Sequence, residues 1–119
     1  NEEANQLTKD DCIAWHQYQQ GQLSEYAYRQ HPRRSVLTEV LGGSGRTIFP
    51  KTGSETLGNG ARLMLCSDGL VDRLWDKVIA DELSQEGSAQ EIAQALLKRS
   101  LDNAHRDDTT LVVADLSRI

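Results

Sequence analysis

Apolar residues in the first third of the chain are sparse and recur at helical spacing, which predicts short helices with polar surfaces. Thr8 and Asp11 have the spacing of a capping box, and the helix that follows them ends at Gly21. The residue before a proline avoids the helical conformation, so a second helix ends ahead of Pro32. The predicted second and third helices cover 24–30 and 35–41.

After residue 45 the pattern changes to strand-like segments separated by turn residues. Two short pieces, 46–49 and 54–57, have strand composition. The run 62–66 is apolar and bounded by turn residues, which predicts a buried strand. The segment 109–114 is rich in β-branched residues and predicts a second core strand.

Between these two core strands the apolar spacing predicts a layer of helices. One helical pattern covers 70–83 with a break near Trp75. The clearest helix covers 88–103, where Ser88 and Glu91 form a capping box. Two core strands connected through a helical layer give an α+β fold class.

Composition and charge narrow the class of protein. With 119 residues the chain fits one domain with a modest core, and a net charge of -5 disfavours a nucleic-acid partner. No apolar run approaches the ~20 residues that span a bilayer, and the start of the chain lacks the features of a secretory signal. Two cysteines are too few for a disulfide scaffold. We therefore expect a cytoplasmic protein with reduced thiols and no membrane partner.

Two acidic turns lie at ends of the predicted core strands. Asp68 follows the first strand, and Asp107 with Asp108 precedes the second. If the strands are antiparallel neighbours, these carboxylates converge at one sheet edge, where Mg²⁺ or Mn²⁺ would relieve their repulsion. The same residues also have plain structural interpretations. Asp-Gly is a common turn, an acidic pair commonly begins an exposed strand, and Asp10 is a typical helix-capping residue.

Four segments together resemble one protein family. They are Leu65-Cys66-Ser67-Asp68-Gly69-Leu70 with Asp72, Arg106-Asp107-Asp108-Thr109-Thr110-Leu111-Val112-Val113, Leu7-Thr8-Lys9-Asp10, and His31-Pro32-Arg33-Arg34-Ser35-Val36-Leu37-Thr38. In this order they resemble the second half of the metal-dependent serine/threonine protein phosphatases of the 2C type, in particular the bacterial members. The matches cover almost the whole chain.

The resemblance implies a fold, a metal site and a reaction. The fold would be an antiparallel β-sandwich flanked by helices, of which residues 1–119 form only the C-terminal part, with a flap-like helical segment at about 12–45. Asp68 and Asp107 would bind two Mn²⁺ or Mg²⁺ ions, and Asp10 would help Asp68 to hold a third. The reaction would be hydrolysis of phosphoserine or phosphothreonine in a phosphoprotein substrate by a metal-activated water.

The sequence also departs from that family. Asp11 stands where the family has His, Asp108 where it has Asn, and the residues of the family's first half have no counterpart. A two-metal centre needs roughly six ligands per ion, so we expect this chain alone to bind Mn²⁺ poorly and to be inactive without the missing N-terminal half. Strand edges left without that half could also self-associate.

Two other functions stay open. The fold could serve as a non-catalytic, phosphatase-like binding or regulatory module, because a fold alone does not establish chemistry. A zinc site is also conceivable, although no paired spacing supports it. Its ligands would be Cys12, His16, His31 and Cys66.

Overall fold

The computed structural model describes residues 4–43, 45, 47–103 and 108–117. It shows an α+β chain that divides into two compact units. The N-terminal unit comprises Asn5–Ser54, and the C-terminal unit comprises the described residues from Glu55 onward together with Ala4. Among the described residues, no helix combines the length and the apolar composition that crossing a bilayer requires.

Two short helices lie in the described part of the N-terminal unit, α1 (Ile13–Gln19) and α2 (Glu25–Arg29). Helix α1 begins after Cys12 without a side-chain cap, so the capping box predicted at Thr8 is wrong. The chain leaves α1 through Gly21, whose φ of 73° is the left-handed conformation that glycine adopts without strain. Ser24 caps α2 because its Oγ accepts a hydrogen bond from the backbone N–H of Ala27 at 3.1 Å.

The helix predicted over 35–41 does not form. Leu37 instead makes an isolated antiparallel bridge with Cys12, and Thr38 donates its backbone N–H to the Asp11 carbonyl at 2.9 Å. The apolar side chains of this segment are all exposed, namely Val36, Leu37, Val40 and Leu41. A short helix depends on packing of an apolar face, and this segment has no core to pack against.

The strand pieces predicted around 46–49 and 54–57 are also wrong for the residues described, because 47–57 has no strand. The backbone N–H of Phe49 bonds to the Glu39 carboxylate at 3.3 Å rather than to a neighbouring strand. Lys51 forms an ion pair with Asp11. This segment is therefore held by side-chain contacts instead of a β-ladder.

The described residues of the C-terminal unit form both strands and three helices. In chain order they are β1 (Arg62–Cys66), α3 (Asp68–Val71), α4 (Asp76–Leu83), α5 (Ala89–Leu101) and β2 (Leu111–Asp115). The two strands pair antiparallel, with Met64 opposite Val113 and Cys66 opposite Leu111. The predicted break near Trp75 is confirmed, since it separates α3 from α4.

One aliphatic core holds this unit together. Helices α3 and α5 contact the two strands and α4 packs on α5, and Met64, Leu111 and Val113 of the sheet pack against the core. The predicted capping box of α5 is confirmed: Ser88 Oγ accepts from the N–H of Glu91 at 3.2 Å, and the Glu91 carboxylate accepts from the N–H of Ser88 at 2.9 Å. The buried members of the core are Leu70, Leu74, Ile79, Ile92 and Leu96.

Arg62 connects the sheet to the loop between α4 and α5. Its guanidinium donates to both carboxylate oxygens of Asp115 at 2.5 and 3.1 Å. It also donates to the carbonyls of Leu83, Gln85 and Gly87 at 2.9 to 3.1 Å. The Arg62 contact holds the pKa of the Asp115 carboxyl below its ordinary value.

Candidate active site

The end of β1 and the start of β2 are fixed against each other beyond the last strand pair. The backbone N–H of Ser67 donates to the Thr110 carbonyl at 2.9 Å, and the N–H of Thr110 donates to Ser67 Oγ at 3.0 Å. Ser67 Oγ in turn donates to the Asp108 carbonyl at 3.4 Å. We call residues 67–69 and 108–110 together the acidic rim. The antiparallel arrangement assumed for the two strands is thus confirmed.

Gly69 allows the two sides of the acidic rim to approach closely. A Cβ atom at this position would lie 2.3 Å from the Asp108 carbonyl oxygen and 2.8 Å from Thr109 Oγ1. No other residue fits there without displacing backbone, so this glycine is required by the close contact between two chain segments.

Asp68 lies at the first position of α3, where its carboxylate is exposed on the acidic rim. Within the described ranges, this carboxylate accepts no hydrogen bond and forms no ion pair. None of the described side chains therefore occupies its oxygens. Asp107, the second predicted metal ligand, lies outside the described residues, and its neighbour Asp108 is on the rim opposite Gly69.

Asp10, the third predicted ligand, belongs to the N-terminal unit, whereas Asp68 belongs to the C-terminal unit. Both carboxylate oxygens of Asp10 accept hydrogen bonds, one from the Tyr28 hydroxyl and one from Gln6 Nε2 at 3.1 Å. No hydrogen bond caps α1 with an Asp10 side chain, so the simple helix-capping interpretation does not apply.

Tyr28 is the functional candidate that sequence reasoning missed. Its side chain is buried, and its hydroxyl contacts both Asp10 and, at 3.5 Å, the thiol of Cys12. Burial raises the pKa of Tyr28 above its ordinary value, and the Asp10 carboxylate raises it further, so the hydroxyl stays protonated and donates. Asp10 and Tyr28 are 18 positions apart in the sequence, and no sequence pattern predicts their contact.

In the part of the chain that the structure describes, no three His, Cys, Asp or Glu side chains are grouped so that they could hold a metal ion. Of the cysteines considered for zinc, Cys12 is buried beside Tyr28 and Cys66 is exposed at the end of β1. Among the described residues, Asp10 belongs to the N-terminal unit and Asp68 and Asp108 belong to the C-terminal unit.

The family model described as Stage II sporulation protein E (SpoIIE) matches residues 26–117, which include most of both units. The chain belongs to this family. A curated relative, the serine/threonine protein phosphatase PstP of Mycobacterium tuberculosis, is 32% identical over 114 residues. That alignment covers 96% of this chain and 22% of PstP.

Solved structures agree with the family assignment. The M. tuberculosis serine/threonine phosphatase PstP/Ppp superimposes with a TM-score of 0.84 at 32% identity, covering 99% of this chain and 49% of that structure. The Staphylococcus aureus serine/threonine phosphatase Stp1 gives a TM-score of 0.85 at 30% identity, covering 96% of this chain and 44% of the other. The phosphatase resemblance and the α+β fold class are confirmed. The chain spans 22% of the full PstP sequence and less than half of each of the two solved structures.

Proposed function

We propose that this chain supplies one part of the active site of a metal-dependent phosphoserine/phosphothreonine protein phosphatase. The observation that carries the proposal is the acidic rim, where the Ser67-Asp68-Gly69 turn is fixed against 108–110. This arrangement brings an exposed carboxylate to the place where a second acidic turn precedes β2. The family membership and the phosphatase relatives support the same reaction class.

The metal ligands in this proposal are Asp68, Asp107 and Asp10. Carboxylate oxygens are the donors that Mn²⁺ and Mg²⁺ prefer, and the exposed Asp68 carboxylate fits that chemistry. Bound ions would lower the pKa of a coordinated water and offset negative charge on the phosphoryl oxygens.

The residues of this chain have supporting roles in that chemistry. The first turn of α3 presents the Asp68 carboxylate, and the Ser67 hydrogen bonds keep the start of α3 attached to β2. Gly69 lets the backbone of 108–109 approach, so substitution there would separate the two acidic turns. Residues 12–45 correspond to the flap-like segment, and a phosphoprotein is the proposed substrate.

We further propose that a preceding segment of the same domain completes the site. A pair of metal ions needs roughly twelve ligands counting waters, and this chain offers three carboxylates. That segment would also pair with the open edges of the β1–β2 sheet, which could otherwise self-associate. The free thiols of Cys12 and Cys66 fit a cytoplasmic location for the enzyme.

The test compares the chain alone with the complete domain. For the chain alone we expect Mn²⁺ binding weaker than micromolar by calorimetry and almost no hydrolysis of an aryl phosphate or a phosphothreonine peptide. In the complete domain, Asp68→Ala should lower turnover by more than about 100-fold, since loss of even an outer partner of a metal ligand costs about 10–100-fold. Asp81→Asn, which changes an exposed carboxylate on α4, should leave turnover unchanged.

Three outcomes would contradict parts of this proposal. Micromolar Mn²⁺ binding with rapid turnover by the chain alone would disprove the need for a completing segment. Full activity of Asp68→Ala would disprove its role as a ligand. A complete domain that hydrolyses no phosphoester, yet binds a partner regardless of Asp68→Ala, would establish the non-catalytic module instead.

A further inference from the structure

The Tyr28 ring is held in place by neighbours on several sides. It stacks on Tyr18, with ring centroids 4.9 Å apart and planes 15° apart, and meets Trp15 edge-on at 5.6 Å. The guanidinium carbon of Arg34 lies 5.1 Å from the ring centroid, a cation–π distance. Only 5% of the residue is exposed. The hydroxyl therefore has a fixed position.

That hydroxyl determines how the Asp10 carboxylate is oriented. Tyr28 donates to Oδ2 of Asp10, and the Cys12 thiol at 3.5 Å approaches the same hydroxyl oxygen. Gln6 donates to Oδ1 of Asp10 at 3.1 Å. A carboxylate has about four lone-pair sites, so one hydrogen bond on each oxygen fixes the plane of the group while leaving sites for a cation.

We infer that Tyr28 is a positioning residue: its buried hydroxyl orients the Asp10 carboxylate for metal binding and so couples the position of α2 to the affinity for the ion. This inference rests on the proposed role of Asp10 as a metal ligand. Hydrogen-bonding partners of ligating carboxylates commonly determine metal affinity in this way. The aromatic cluster of Trp15, Tyr18 and Tyr28 thereby has a role beyond packing of the N-terminal unit.

The test uses Tyr28→Phe in the full chain, which removes the hydroxyl and keeps the stacked ring. The chain is titrated with MnCl₂, and the paramagnetic broadening of amide NMR signals around Asp10 is followed. We expect half-broadening to need about tenfold more Mn²⁺ than in the unchanged chain. Tyr26→Phe is the matched control, because Tyr26 lies on the same helix and is 64% exposed. It should titrate like the unchanged chain.

Gln6→Ala provides a second variant that leaves the buried cluster intact, since Gln6 is exposed. It should raise the Mn²⁺ requirement in the same direction by roughly a few-fold. Asp10→Asn should raise the requirement most, and adding Tyr28→Phe to it should have no further effect, because the hydroxyl acts through Asp10.

The outcomes separate this inference from the function on which it rests. If Asp10→Asn weakens Mn²⁺ binding while Tyr28→Phe and Gln6→Ala lower only the melting temperature, the positioning role is disproved and the ligand role stands. If Asp10→Asn leaves the titration unchanged, Asp10 is not a ligand and both fail. Additive effects of Tyr28→Phe and Asp10→Asn would likewise contradict the positioning role.

Discussion

The two units of the chain are stabilised by different kinds of contact. In the C-terminal unit five buried aliphatic residues form one core beneath the two strands. In the N-terminal unit the buried cluster is Cys12, Ala14 and Tyr28, packed against Trp15, Tyr18 and Leu23. Aliphatic burial follows sequence periodicity, whereas the N-terminal cluster depends on specific aromatic and polar contacts. The C-terminal unit therefore tolerates substitutions at its surface, and the N-terminal unit is sensitive to the loss of single polar atoms.

The largest expected effect is on the aliphatic core. Leu96→Ala removes a fully buried side chain and should lower the free energy of unfolding of the C-terminal unit by about 2–5 kcal/mol. Leu23→Ala, at a partly buried position of the N-terminal cluster, should cost about 1 kcal/mol. Hydrogen exchange of amides in each unit measures both effects. Equal losses in the two variants would contradict the proposed difference between the cores.

A smaller loss is expected at the acidic rim. Gly69→Ala places a methyl group against the Asp108 carbonyl and should destabilise the C-terminal unit by about 1–3 kcal/mol. Gly58→Ala is the matched control, because a Cβ there meets no atom within 4 Å. Its effect should stay within about 0.5 kcal/mol. Chemical denaturation measures both, and a stable Gly69→Ala variant would show that the rim can open without cost.

The smallest expected effects are on the pH dependence of stability. Stability falls toward acid pH in the C-terminal unit and toward alkaline pH in the N-terminal unit. Arg62 holds the pKa of Asp115 below its ordinary value of 3.8, so this contact stabilises the fold above that pH and is lost as the pH falls further. Burial raises the pKa of Tyr28 above its ordinary value of 10.0, so the unfolded chain ionises first and stability falls as pH rises beyond it.

Near-ultraviolet circular dichroism of the aromatic cluster follows the alkaline change, and far-ultraviolet dichroism follows the acid change. Tyr28→Phe should remove the alkaline loss, and Arg62→Gln should move the acid transition to higher pH. An alkaline transition that persists unchanged in Tyr28→Phe would show that another group is responsible.

The sequence was informative where a pattern determines structure locally. The strand β1, the Ser88–Glu91 box and the break at Trp75 all follow from neighbouring residues and are confirmed. The burial predicted for β1 is wrong, because Leu65 is 71% exposed and Cys66 is exposed. The convergence of the chain beside Asp68 and Asp108 also followed, because antiparallel neighbours share an edge.

Sequence reasoning failed where contacts between distant residues decide the structure. Residues 35–41 have helical spacing, but the bridge from Leu37 to Cys12 and the absence of a core for their apolar side chains prevent a helix. The hydrogen bond from Tyr28 to Asp10 depends on the fold of the whole N-terminal unit. Neither contact has a local signal. The ligand roles of Asp68, Asp107 and Asp10 stay predictions.

The Arg62 contacts have a consequence for the length of the α4–α5 connection. One planar guanidinium donates hydrogen bonds to the carbonyls of Leu83, Gln85 and Gly87, which are every second residue along the chain. The same guanidinium also binds the Asp115 carboxylate. An insertion or deletion within 83–87 would change which carbonyls face Arg62. Several of the hydrogen bonds that its guanidinium donates would then be lost at once. This short connection is thus a poor place to graft a tag or a loop.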